Sequence, residues 1–181
     1  MTKKPDTKGS GANTRPRFPF WSFVLFVLLV LIGNNTPFWF FPEPTIPFQK
    51  FMVKIVGGLI EASGLQVVHN GIHITLKNGE WIMTAECTAM SAMIVFVAFV
   101  LVYPSALKAK GIAILAGIPF LILANTLRLF SLAWLTELFP KYAEFVHDYV
   151  WQVAFLILIA LMWLLWIEMV VRHERKTAVS G

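Results

Sequence analysis

Four stretches of this chain are apolar over a length that crosses a lipid bilayer. They run from about Phe18 to Phe38, Thr88 to Leu107, Gly111 to Phe139 and Tyr149 to Val171. A helix needs about 20 mainly apolar residues to span the ~30 Å hydrocarbon core. The chain therefore reads as an all-α polytopic membrane protein with about four transmembrane helices. Its composition agrees: 57% of its 181 residues are hydrophobic and only 14% are charged. A soluble domain carries roughly 25% charged residues, so a soluble globular enzyme is excluded. Trp21, Trp39, Tyr103, Tyr142 and Tyr149 stand near span ends, as interfacial anchors do. The first stretch is long, and no small-x-small cleavage site follows it. It reads as a retained helix rather than a signal peptide.

Lys and Arg give the expected orientation. Lys3, Lys4, Lys8, Arg15, Arg17, Lys108, Lys110, Arg172, Arg175 and Lys176 fall on one side, and Lys50, Lys54, Lys77 and Lys141 on the other. Both termini are therefore expected in the cytoplasm, with the protein in the cytoplasmic (inner) membrane. The net charge of +5 is a topology signal, so the lipid bilayer is the expected partner and nucleic acid is not. Residues 1–17 read as a disordered basic cytoplasmic tail, 18–175 as one membrane domain and 176–181 as a second tail.

An outer insertion covers about 40–86. PEPTIP is extended or turn-like because of its prolines. Phe48, Phe51, Met52, Ile55, Val56, Leu59 and Ile60 fall at helical spacing, which predicts a short amphipathic helix on the outer membrane surface, weakened by Gly57 and Gly58. Asn70-Gly71 and Asn78-Gly79 are hairpin signals, with Ile72, Ile74 and Leu76 alternating between them. They predict a small β-meander, either a lid or a strand edge offered to a peptide.

Few polar residues interrupt the apolar stretches. Arg128 lies within about one turn of the outer boundary of the third. It is either a snorkelling anchor or, with Asn125 on the same helical face, a residue turned toward other helices. A single Cys permits no internal disulfide. Cys87 falls at the outer mouth of the second span, where a helix start favours a thiolate and Glu86 opposes one. Lone membrane cysteines are usually buried hydrophobes. His147 opens the fourth span, with Glu144 three residues earlier on the same face. Independent counts bring Cys87, Arg128 and His147 to one membrane face. A thiol, an imidazole that takes its proton and a guanidinium that steadies an oxyanion or the thiolate make an acyl-transfer site. His69 and His73 read as solvated rather than metal-binding, and His173 as solvated. Glu168 reaches the interface or Arg172. No metal site and no cofactor are called for. The alternative is a non-enzymatic four-helix transporter subunit or assembly partner, with Cys87 incidental.

At ECTAMSAM, LANTLRLF and EFVHDYVW the sequence resembles the exosortase/archaeosortase family of membrane cysteine transpeptidases. Cys87, Arg128 (with Asn125) and His147 match the family's Cys, Arg and His in order. The resemblance implies a peptidase or transpeptidase that cleaves C-terminal sorting signals of exported proteins through a Cys thioester. It implies membrane-anchored substrates that carry a short motif, a transmembrane helix and a basic cluster. Many members have more helices, so the compact exosortase H branch is the better match. Thr88-Ala89-Met90 follows Cys87 where a Ser/Thr-Gly step is commoner.

Overall fold

The computed structural model describes residues 20–40 and 45–179, apart from the side chains of 36–40, 144, 148 and 171–179. The expected 1–17 tail, part of PEPTIP, and the side chains of Glu144, Arg172 and His173 lie outside the described residues. In chain order come α1 (Phe20–Phe40), α2 (Ile46–Ala62), β1 (Val67–Asn70), β2 (His73–Leu76) and β3 (Gly79–Ile82). A 3-10 turn (Glu86–Thr88) leads to α3 (Met90–Val102), α4 (Leu107–Leu138) and α5 (Pro140–Phe145). A π-helical turn (Val146–Val150) then enters α6 (Trp151–Val179). The helix α6 continues past Arg175 to Val179.

Among the described residues, two helices have spanning length and composition: α4, with 32 residues, and the 20-residue run Trp151–Val170 of α6. The other two expected spans appear as shorter apolar helices, Phe20–Asn35 and Met90–Val102. Pro104 explains the short α3. The residue before a proline is pushed out of the α region, and Tyr103 is extended at φ −65°, ψ 132°. Thirteen helical residues rise about 20 Å, less than the hydrocarbon thickness. Leu156, Ile157, Leu161, Leu164, Leu165 and Met169 of α6 are exposed, as are Ile112, Leu115, Leu123 and Leu127 of α4. Apolar exposure on this scale matches a lipid environment and not water.

Two apolar cores meet along α4. The first joins α1, α3, α4 and α6. There Phe99 stacks on Trp163 with ring centroids 4.3 Å apart, and Phe26 meets both rings edge-on. The second joins Met52, Val53, Val56 and Ile60 of α2 to Ile74 and Leu76 of β2 and to Leu129 and Ala133 of α4. Between Leu121, in the first, and Leu129, in the second, α4 carries buried Asn125, Thr126 and Arg128.

The helix α2 packs on α4 and β1, and its buried face is Gln49, Met52, Val53, Val56, Gly57 and Ile60. This face is rotated from the expected one. Phe51 is 50% and Leu59 44% exposed. Apolar residues wrap much of this helix, so spacing alone could not say which side the sheet covers. Gly57 is a contact point rather than a weakness: a Cβ there would lie 2.6 Å from Cδ2 of His69. His69 packs on α2 instead of standing in solvent.

The meander forms as an antiparallel sheet in the order β1-β2-β3. Its turns sit one residue off the Asn-Gly positions. Asn70 pairs with His73, and Leu76 with Gly79, so the loops are Gly71-Ile72 and Lys77-Asn78. Gly71 has φ +62°, the requirement for the first loop position of a type II′ turn. Ile74 opposes His69, so His69 and His73 project from opposite faces of the sheet. His73 Nδ1 instead lies 3.2 Å from Glu80 Oε1 at the surface.

Candidate active site

The site lies where the polar layer of α4 meets the turn after the sheet. Met83 ends the sheet by donating its N–H to Ile72 O at 2.8 Å. Thr84 to Thr88 then wind into overlapping tight turns, with Cys87 N donating to Thr84 O and Thr88 N to Ala85 O. Ala89 closes the turn at φ 58°, ψ 14°, the only non-glycine with positive φ among the described residues. The left-handed region costs an L-residue roughly 1–2 kcal/mol, and glycine occupies it freely. A glycine at this position would relieve that strain.

Gln49 braces the same turn from α2. With its amide oriented to satisfy both ends, it donates to Met83 O at 3.2 Å and accepts from Ala85 N at 3.1 Å. Asn125 holds the turn from the other side, donating to Cys87 O at 2.7 Å. Asn125 is fully buried. The turn that carries Cys87 is therefore held by two helices distant in sequence.

Three expected residues converge. Cys87 Sγ lies 4.0 Å from His147 Nε2, and Arg128 Nη2 lies 3.5 Å from His147 Nδ1. His147 sits in the π-helical turn rather than at the start of a regular helix. Single π turns recur at functional positions because the wider turn re-aims a side chain. Arg128 is 8% exposed, and its guanidinium carbon stands 5.6 Å from the Phe155 ring centroid. Of the two roles open to it from sequence, Arg128 takes the inward one. It turns toward His147 and an aromatic face that favours a cation. Glu144, expected to orient His147, has its side chain outside the described residues.

Cys87 precedes α3 and stands outside the apolar helices. Burial pushes its thiol up, but hydrogen bonds with His147 and Thr84 outweigh burial and bring it from 9.0 down to about 7. The Thr84 hydroxyl lies 3.3 Å from the sulfur. Glu86, the residue expected to oppose a thiolate, faces elsewhere. It lines a separate cavity of about 220 Å³ with Gly33, Asn34 and Thr45. The first residue of α3 is Met90, so hydrogen bonding, rather than the helix start, lowers this thiol.

A cavity of about 480 Å³ opens onto Cys87 and His147. One wall is the run Gly79 to Met83, and the other is Leu129, Leu132 and Thr136 of α4 with Pro140 and Ala143. Sequence reasoning missed four contributors. Thr84 could have been found three residues before Cys87 as the hydroxyl that closes a tight turn. Gln49 could have been found as a polar residue within an apolar helical run. Phe155 is one of sixteen phenylalanines and carried no signal, and Trp81 gave no hint that it lines the cavity.

The chain matches the family model described as transmembrane exosortase (Exosortase_EpsH) over residues 15–166. No curated protein matches it, and no solved structure does. The match extends from before α1 into α6 and takes in Cys87, Arg128 and His147. The chain belongs to the transmembrane exosortase family.

Proposed function

We propose that this protein is a membrane-embedded cysteine peptidase/transpeptidase that cleaves C-terminal sorting signals of exported proteins through a Cys87 thioester. The observation that carries the reading is the meeting of Cys87 with His147, both lining one cavity, and of His147 with Arg128 behind it. Cys87 is the nucleophile. His147 Nε2 takes the thiol proton as sulfur attacks the scissile carbonyl carbon. A C–S bond forms, and the carbonyl electron pair moves onto oxygen. When that pair returns, the C–N bond breaks, and the leaving amine takes the proton from Nε2. Water or an acceptor amine then attacks the thioester, gives its proton to the same ring, and restores the thiol.

Arg128 has two positions in this cycle. Arginine only donates hydrogen bonds, so its contact with Nδ1 requires a lone pair on that nitrogen. Nε2 can take the thiol proton only in the tautomer that already carries hydrogen on Nδ1. The guanidinium therefore leaves Nδ1 before the thiol proton moves, as the ring shifts its own hydrogen from Nε2 to Nδ1, and the developing oxyanion is its next acceptor.

The charge pattern supports a four-span topology in the cytoplasmic membrane with both termini inside and the site on the outer face. A substrate helix with a basic cytoplasmic end presents its scissile segment at that level. The experiment co-expresses the full chain with an exported reporter ending in a short segment, an apolar helix and a basic tail. Cys87→Ala should leave the protein inserted and abolish reporter cleavage. Normal cleavage in that variant would favour the non-enzymatic reading, in which Arg128→Ala is the damaging change.

A further inference from the structure

The five residues Gly79 to Met83 all line the cavity. Side chains of a strand alternate between faces, so a continuous run means that the cavity borders the strand's edge. The sheet order makes β3 an edge strand. Its register shows which groups are free. Gly79 pairs with Leu76 across a two-residue loop, and Met83 N bonds Ile72 O. Bonded pairs alternate in an antiparallel ladder, so Gly79, Trp81 and Met83 direct their backbone groups at β2. The N–H and C=O of Glu80 and Ile82 point the other way, along the cavity.

The two ends of this edge differ. At one end Asn78 ties the hairpin to α4, its Nδ2 donating to Glu137 O at 3.1 Å and to Oε2 at 3.0 Å. At the other end stand Cys87 and His147. Five residues of strand span roughly 16 Å, which suits an extended segment of four or five residues.

We infer that the outer edge of β3 is the substrate subsite, where the segment beside the scissile bond binds as an added antiparallel or parallel strand. This inference rests on the peptidase reading above. An extended backbone is the chemistry that complements two outward N–H groups and two outward C=O groups at strand spacing. The opposite wall sets side-chain preference. Leu129, Leu132, Pro140 and Ala143 make it apolar, so every second residue of the bound segment is apolar, and the intervening residues face outward beside Glu80 and Ile82.

Two measurements test it. Cys87 is the only cysteine, so Cys87→Ser gives a thiol-free, uncleaving background. Into it, Ile82→Cys is introduced on the exposed face of β3, with Val68→Cys on β1 as a control. The probe is the exported reporter, carrying single cysteines through its short segment. Disulfides with Cys at 82 are expected at alternate reporter positions and none with Cys at 68. Equal crosslinking at every position, or none, overturns strand addition. In the second measurement Ile82→Pro removes one outward N–H while sparing the inner ladder. It should raise KM for reporter cleavage about 3- to 10-fold, with kcat and Cys87 labelling unchanged. An unchanged KM in a folded variant overturns the inference. Residual cleavage by Cys87→Ala instead overturns the peptidase reading, and the crosslinking pattern still judges the subsite.

Discussion

Arg128 Nη2 stands 3.5 Å from His147 Nδ1, and it does so from a helix that is otherwise mainly apolar. A buried guanidinium keeps its charge and needs partners that accept hydrogen bonds or tolerate a cation. The imidazole and the Phe155 ring supply them.

Replacing Arg128 tests that relationship. Arg128→Lys retains the charge and loses the planar fork. It should insert normally and lower reporter cleavage about 10²- to 10³-fold, the usual scale for losing an oxyanion donor. The measurement is kcat on the exported reporter, with insertion checked by protease accessibility.

The thiol of Cys87 should titrate low. An acid whose folded-state pKa is depressed gives its anion at lower pH, so alkylation should rise through a midpoint near 7 instead of near 9. His147→Ala removes the contact that lowers the thiol most and should move the midpoint upward, and Thr84→Val should do so by less. Labelling rates with a membrane-impermeant maleimide across pH 5–10 read both. A midpoint unmoved in His147→Ala contradicts the geometry.

Asn125→Leu cuts the bond to Cys87 O and leaves that carbonyl to find another donor. Stability should fall by about 1–3 kcal/mol, and cleavage should fall roughly tenfold through misplacement of the sulfur. Thermal unfolding in detergent and reporter kinetics separate the two effects.

Ala89 offers a test of the turn. Ala89→Gly relieves about 1–2 kcal/mol of left-handed strain. It loses about 0.8 kcal/mol of methyl burial and gains unfolded-state entropy. The net change should lie within about 1 kcal/mol of the parent. Ala89→Val puts a branched side chain at φ 58° and should cost more than about 2 kcal/mol. Thermal midpoints in detergent rank the three proteins.

Much of the site was readable because the apolar segments contain so few polar residues. Cys87, Arg128, Asn125 and His147 stood out by depth alone, and depth is a count of residues along a helix. The hairpins were readable from Asn-Gly steps, though the ladder register moved each turn by one residue. Span lengths were less readable. Composition carried the second span through Pro104, whereas the backbone of Tyr103 ends α3 before it.

The sequence by itself determined a membrane protein of apolar helices, the small β-meander, and the positions along the apolar segments at which a thiol, an imidazole and a guanidinium occur. Hydropathy and charge act residue by residue, so a one-dimensional reading captures them. Tertiary structure alone decided which face of α2 is buried, that Glu86 turns away from Cys87, and that β3 walls the cavity. It also decided that Gln49 and Phe155 support the site. These depend on contacts between residues distant in the chain, 34 apart for Gln49 and Met83 and 27 apart for Arg128 and Phe155. Such contacts are selected by packing and hydrogen-bond satisfaction, which local sequence does not encode.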